Sequence, residues 1–107
     1  GRQPMSTEIL LQAAKAAGYA PTSTADGTVL IKGLSMTLVW DPFFYPEQVV
    51  KLIARCKIDT TYGEGTVCAT CRGVGHIERL PGDKSSDQRA LVSAVVWAAA
   101  LSMEVRG

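Results

Sequence analysis

The chain has 107 residues, 47% of them hydrophobic and 20% charged, with eleven Lys plus Arg against ten Asp plus Glu. That length supports one hydrophobic core, and so much apolar content at a net charge of +1 argues against disorder. The same balance argues against a general electrostatic DNA binder, which needs a basic surplus to neutralise several phosphates.

Ser6-Thr7-Glu8 opens the first predicted helix, with a hydroxyl N-cap and an acid in the first turn. Ile9, Leu10, Ala13, Ala14 and Ala17 then share one face at helical spacing. Gly18 terminates it, and Pro21 prevents resumption. A polar loop from Pro21 ends in the turn signal Asp26-Gly27. Thr28–Lys32 and Leu34–Trp40 are rich in β-formers, and the second alternates at Leu34, Met36 and Leu38, so a hairpin or a strand bent at Gly33 is expected. Asp41-Pro42 stops it.

Pro46 suits the first position of a second helix, along which Val49, Leu52, Ile53 and Cys56 keep the i, i+3, i+4, i+7 pattern. Phe44 and Val49 then occupy the two positions of a hydrophobic staple. Ile58–Tyr62 and Thr66–Ala69, around Gly63-Glu64-Gly65, predict a second hairpin. Cys71–Lys84 is glycine-rich and polar and reads mostly as loop, with room for a short strand at Gly75–Arg79. Ser85 and Gln88 resemble a capping box for a last helix running to about Glu104.

The order α-β-β-α-β-β-α predicts an α+β domain: a small antiparallel or mixed sheet of about four strands packed with three helices. Residues 5–107 form one domain, and Gly1–Pro4 read as residues left by cloning ahead of a native start at Met5. The apolar run Ala90–Leu101 is too short to span a bilayer. No positive region leads into an apolar signal segment, and three cysteines are an odd set for a secreted framework, so a reducing cytoplasm is expected. The last helix leaves little polar face, so it is either the central core helix or packs part of helix 86–104 against a second copy.

Cys68-Ala-Thr-Cys71-Arg-Gly-Val-Gly75-His76 carries the most specific local pattern. Two thiolates with two residues between them can grip one tetrahedral zinc from a tight turn, and a histidine five positions on can return to it. The segment resembles a zinc knuckle in its first three ligands, and also half of the cysteine–glycine repeat of DnaJ-type chaperones. Pro81 stands where a knuckle places its fourth ligand, leaving Cys56, Glu78 or Asp83 to complete the set. Cys56 also continues the apolar stripe of its helix and reads as core filling. The competing reading is a glycine-rich turn with two incidental thiols and no cofactor. With zinc, the knuckle resemblance implies single-stranded nucleic acid, with Arg72 and Arg79 near phosphates. Enzymatic function is not expected, because one Cys–His pair has no orienting group or phosphate loop beside it.

Trp40-Asp-Pro-Phe-Phe-Tyr-Pro46 packs four aromatics into seven residues. Trp40 and Phe43 are expected to enter the core and Phe44 to serve as the staple, leaving Tyr45 exposed as an anchor for a protein partner. Lys51, Arg55 and Lys57 lie near this corner in sequence.

Glu8–Gly18, Trp40-Asp-Pro-Phe43, Val49–Leu52 and the late alanine-rich helix after Ser86-Asp-Gln-Arg89 together are similar to small uncharacterised proteins of tailed bacteriophages and prophages. In those proteins a tryptophan-(Asn/Asp)-Pro-hydrophobic element precedes the central helix. The resemblance implies an accessory phage or prophage product in the bacterial cytoplasm. Such a product would act by binding a host or phage protein, with interference in a host defence system as one role. Partner contacts are then expected from Tyr45, Phe44, Lys51 and Arg55.

Overall fold

A computed structural model describes residues 6–33 and 35–106. The expected cloning residues, the start at Met5 and the alternating position Leu34 lie outside the described residues. The elements follow in the order α1 (Thr7–Ala16), β1 (Thr22–Ser23), β2 (Val29–Lys32), β3 (Thr37–Val39), α2 (Pro46–Cys56), β4 (Asp59–Gly63), β5 (Thr66–Cys71), β6 (Val74–Arg79) and α3 (Lys84–Arg106). The α+β class and the three helices are as expected. The described strands, however, form two three-stranded antiparallel sheets, β1-β2-β3 and β4-β5-β6, rather than one sheet of about four.

The two strands beyond the four expected ones each have a local reason for a weak signal. β1 is two exposed polar residues held only by pairing Thr22 with Leu30 and Ser23 with Val29, so it has no apolar alternation to read. β6 lies in the segment read mostly as loop and matches the short strand for which Gly75–Arg79 left room. It joins β5 through the two-residue turn Arg72-Gly73, whose φ values of 53° and 82° are both positive. Two positive-φ residues make a turn of type I′, whose twist suits a two-residue hairpin, but arginine is a poor former of it and conceals the signal.

The helix ends show where local chemistry was sufficient. Ser6 accepts from the Ile9 N–H at 3.3 Å, as a hydroxyl N-cap should. At the other end of α1 the Tyr19 N–H reaches the Ala14 carbonyl and the Gly18 N–H the Lys15 carbonyl, with Gly18 at φ +97°. That is a Schellman ending, and glycine adopts its left-handed residue without steric cost. The capping of α3 falls two residues earlier than Ser85. Asp83 accepts from the Ser86 N–H at 3.2 Å, and Asp87 accepts from the Gly82 N–H at 2.9 Å. A carboxylate is a stronger cap than a hydroxyl with a distant glutamine, because it also complements the helix dipole.

α3 runs through the middle of the molecule, against α1 on one side, β5 and β6 on another, and α2 near its start. Ala94, Val95, Val96, Ala98 and Ala99 are fully buried. Small residues at Ala13 and Ala14 of α1 and at Ala94 and Ala98 of α3 permit a short interaxial distance. The burial that the sequence offered to a second copy is thus supplied by the chain's own elements. Trp40, Val29, Ile31 and Leu52 complete the core, each of the larger aliphatics contributing roughly 1.5–3 kcal/mol. Among the described residues no helix is long and apolar enough to cross a membrane.

Candidate functional site

The Cys68–His76 segment is a hairpin, and the alternation of a strand decides its chemistry. Along β5, Val67, Ala69 and Cys71 point to the covered face while Thr66, Cys68 and Thr70 point away. Residues three apart on a strand take opposite faces, so the sheet stands between the two thiols and they cannot hold one ion. This corrects the zinc set Cys68, Cys71, His76 and Cys56: among the described residues no group of three or more such side chains could hold a metal.

Cys68 stays on the open face, its sulfur near the Ala69 carbonyl and the Thr70 hydroxyl of its own strand, and the other three members are structural ties. Cys71 is buried against the Ser102 hydroxyl at 3.4 Å and the Cys56 carbonyl at 3.7 Å. Cys56 donates to the Ala16 carbonyl at 3.3 Å, and burial pushes its thiol up to about 11. A thiol held protonated is a poor nucleophile and a poor ligand. His76 stacks on Trp97 at 5.3 Å and pairs through Nε2 with Glu78 at 2.8 Å, and the Ser93 hydroxyl donates to the same carboxylate oxygen at 2.9 Å. Glu78 lies between serine and histidine, so the imidazole does not meet the hydroxyl. The network fastens β6 to α3.

Arg72 and Arg79 do not make a joint phosphate site either. Arg72 sits in the β5–β6 turn and Arg79 at the far end of β6. At about 3.3 Å per residue they stand roughly 20 Å apart along the strand.

The aromatic corner is rearranged from its expected order. Trp40 is buried, stacked obliquely near Tyr19 with centroids 5.7 Å apart. Phe44 is the exposed ring at 72%, whereas Tyr45 is half-buried and meets Phe44 edge-on at 4.9 Å. The staple is therefore absent: Phe44 points into water while Val49 packs into the core. The cause lies in the Pro42–Phe44 turn, where the Asp41 carbonyl accepts from both the Phe44 and Tyr45 N–H groups and turns the chain before α2 begins. Lys51 and Arg55 are engaged elsewhere. Lys51 Nζ lies 5.0 Å from the Tyr19 ring centre, and a Cβ at Gly18 would stand 3.3 Å from Arg55 Nη2, so both cover the end of α1.

Beside the corner a trough of about 530 Å³ opens between α2 and the first turns of α3. Pro42 and Phe43 line it at the corner, Val49 and Val50 from α2, and Arg89 and Val92 from α3. The Arg89 guanidinium lies 4.9 Å over the Phe43 ring. Val50 is 65% exposed. The sequence carried one signal for this site: Val50 falls outside the Val49, Leu52, Ile53, Cys56 stripe of α2, on the side of the helix that the stripe leaves open. Arg89 gave none. Comparison with protein-family models, curated proteins and solved structures finds no match to this chain.

Proposed function

We propose that this chain is a non-enzymatic binding protein that holds a protein partner on the aromatic corner and the trough beside it. The carrying observation is the exposure of Phe44 and Val50, two large apolar side chains flanking a concave apolar surface. Exposed aromatics beside a water-excluding pocket are the arrangement that concentrates binding energy at protein interfaces. The contact set differs from Tyr45, Phe44, Lys51 and Arg55: Phe44 is kept, Val50 and Phe43 join it, and the two cations are assigned to holding α1. The resemblance to phage and prophage proteins supports a bacterial cytoplasmic setting and a host or phage partner, a component of a host defence system among them.

The test is quantitative affinity capture from phage-infected and uninfected bacterial cytoplasm, comparing the parent chain with Phe44→Ala, Val50→Asp and a control, Glu64→Ala, on the β4–β5 turn. A partner kept by the parent and the control is expected to fall about thirtyfold or more with either corner variant, the loss of one interface anchor of about 2 kcal/mol or more. Thermal unfolding of the variants should match the parent. Equal retention by all four chains removes the corner from the function.

A further inference from the structure

We propose that the trough accepts an amphipathic helix whose apolar stripe lies between α2 and α3 and whose carboxylate meets Arg89. The proposal rests on the docking reading above and adds the chemistry of the partner. Two helices form the trough's walls, and such a cleft is complementary to a third helix presenting apolar side chains at i, i+3 and i+4.

The charge at the trough is one-sided. Arg89 is the single charged residue among those described as lining it. Its guanidinium is held over Phe43, and among the described residues it has no carboxylate partner. The acids around it do not serve it: Asp87 accepts from the Gly82 N–H, Asp83 accepts from the Ser86 N–H, and Glu47 is exposed at the start of α2. A guanidinium fixed by stacking, with its N–H groups unspent and an apolar floor beside it, selects an anion that arrives attached to apolar surface. A small anionic amphiphile would meet that demand in the trough alone and leave Phe44 in water. A helix on a folded partner covers the trough and brings further surface over Phe44 and Val50.

The experiment selects a displayed library of helical peptides, varied at polar and apolar positions, for binding to the full chain, and measures the enriched peptides by fluorescence anisotropy. Enriched peptides are expected to place Asp or Glu beside an apolar stripe. Arg89→Gln should weaken them about tenfold, changing the peptide carboxylate to an amide should weaken them equally, and the two changes together should cost no more than either. Val50→Asp should abolish binding. If both amide changes are silent while Val50→Asp still abolishes binding, the docking surface stands and the acidic helix is overturned. If Val50→Asp is silent as well, the docking surface falls with it. Binding of dodecanoate that displaces the peptides and ignores Phe44→Ala would identify a small-ligand pocket and also overturn the helical occupant.

Discussion

Gln48 is a polar side chain at a core position of α2, 9% exposed, and its amide holds two separate stretches of backbone. Its Oε1 accepts from the Asp41 N–H at 2.7 Å and its Nε2 donates to the Val39 carbonyl at 2.8 Å. Val39 lies on β3, an edge strand whose residues are exposed, so this contact both places the aromatic corner and occupies a carbonyl that another strand would otherwise seek. Replacing it by alanine leaves two backbone groups without that partner. Gln48→Ala should lower stability by about 2–3 kcal/mol in urea unfolding, with the slope unchanged. Cys56 makes a second residue-scale prediction with a defined sign. Its thiol is raised from the ordinary value near 9 to about 11, chiefly by burial and then by neighbouring Cys71. The folded chain therefore favours the protonated thiol. That contribution is fully present below pH 9 and is lost as pH rises from about 9 through about 11, where the unfolded thiol ionises first. The urea midpoint should fall across that window, and fall less in Cys56→Ala.

At the scale of elements, the β5–β6 hairpin replaces a metal loop and carries the same residues to a different end. Its strands pair Cys68 with Ile77 on the open face and Ala69 with His76 on the covered one. Spacing in sequence was legible, but a turn and a strand use that spacing oppositely. A turn folds Cys68 toward Cys71, whereas a strand sets them on opposite sides. The deciding local residue is Arg72, whose left-handed conformation at φ 53° is unfavourable for a side chain lacking local hydrogen-bonding ability. Arg72→Asn restores the preferred Asn-Gly pair and should raise stability by about 0.5–1 kcal/mol, seen as a melting temperature higher by about 4 °C. A lower melting temperature would show that the arginine makes a contact worth more than its backbone strain. Lys57 ends α2 in the same region of backbone space, at φ 52°, in a position where glycine is more usual.

Across the whole molecule, α3 is the organising element, and its alanine content follows from how many neighbours it has. The radius of gyration of 13.4 Å is that of a chain of this length packed as one unit, about 13 Å. A helix covered on three sides in so small a protein keeps its fully buried middle positions small, Ala94, Val95, Val96, Ala98 and Ala99, while the larger Trp97 is only partly buried, against His76. Ala94 is fully buried, and burying a carboxylate there costs an amount comparable to the whole stability of such a domain. Ala94→Asp should therefore yield an unfolded chain by circular dichroism. A folded chain with the parent's melting temperature would show that Ala94 is not enclosed.

Read by itself, the sequence determined the three helices, most of their ends and the α+β class. These depend on capping hydroxyls, proline, glycine and apolar periodicity within a few residues of one another. It also marked the aromatic corner as the place where apolar residues exceed what a core can take. The tertiary structure alone decided which aromatic is left in water, which face of β5 each thiol occupies, and that the chain itself covers α3. It alone brought Arg89 of α3 over Phe43 to close one side of the trough. Each of these depends on a partner distant in the chain, and a side chain's surroundings are settled by what packs against it, which local pattern does not encode.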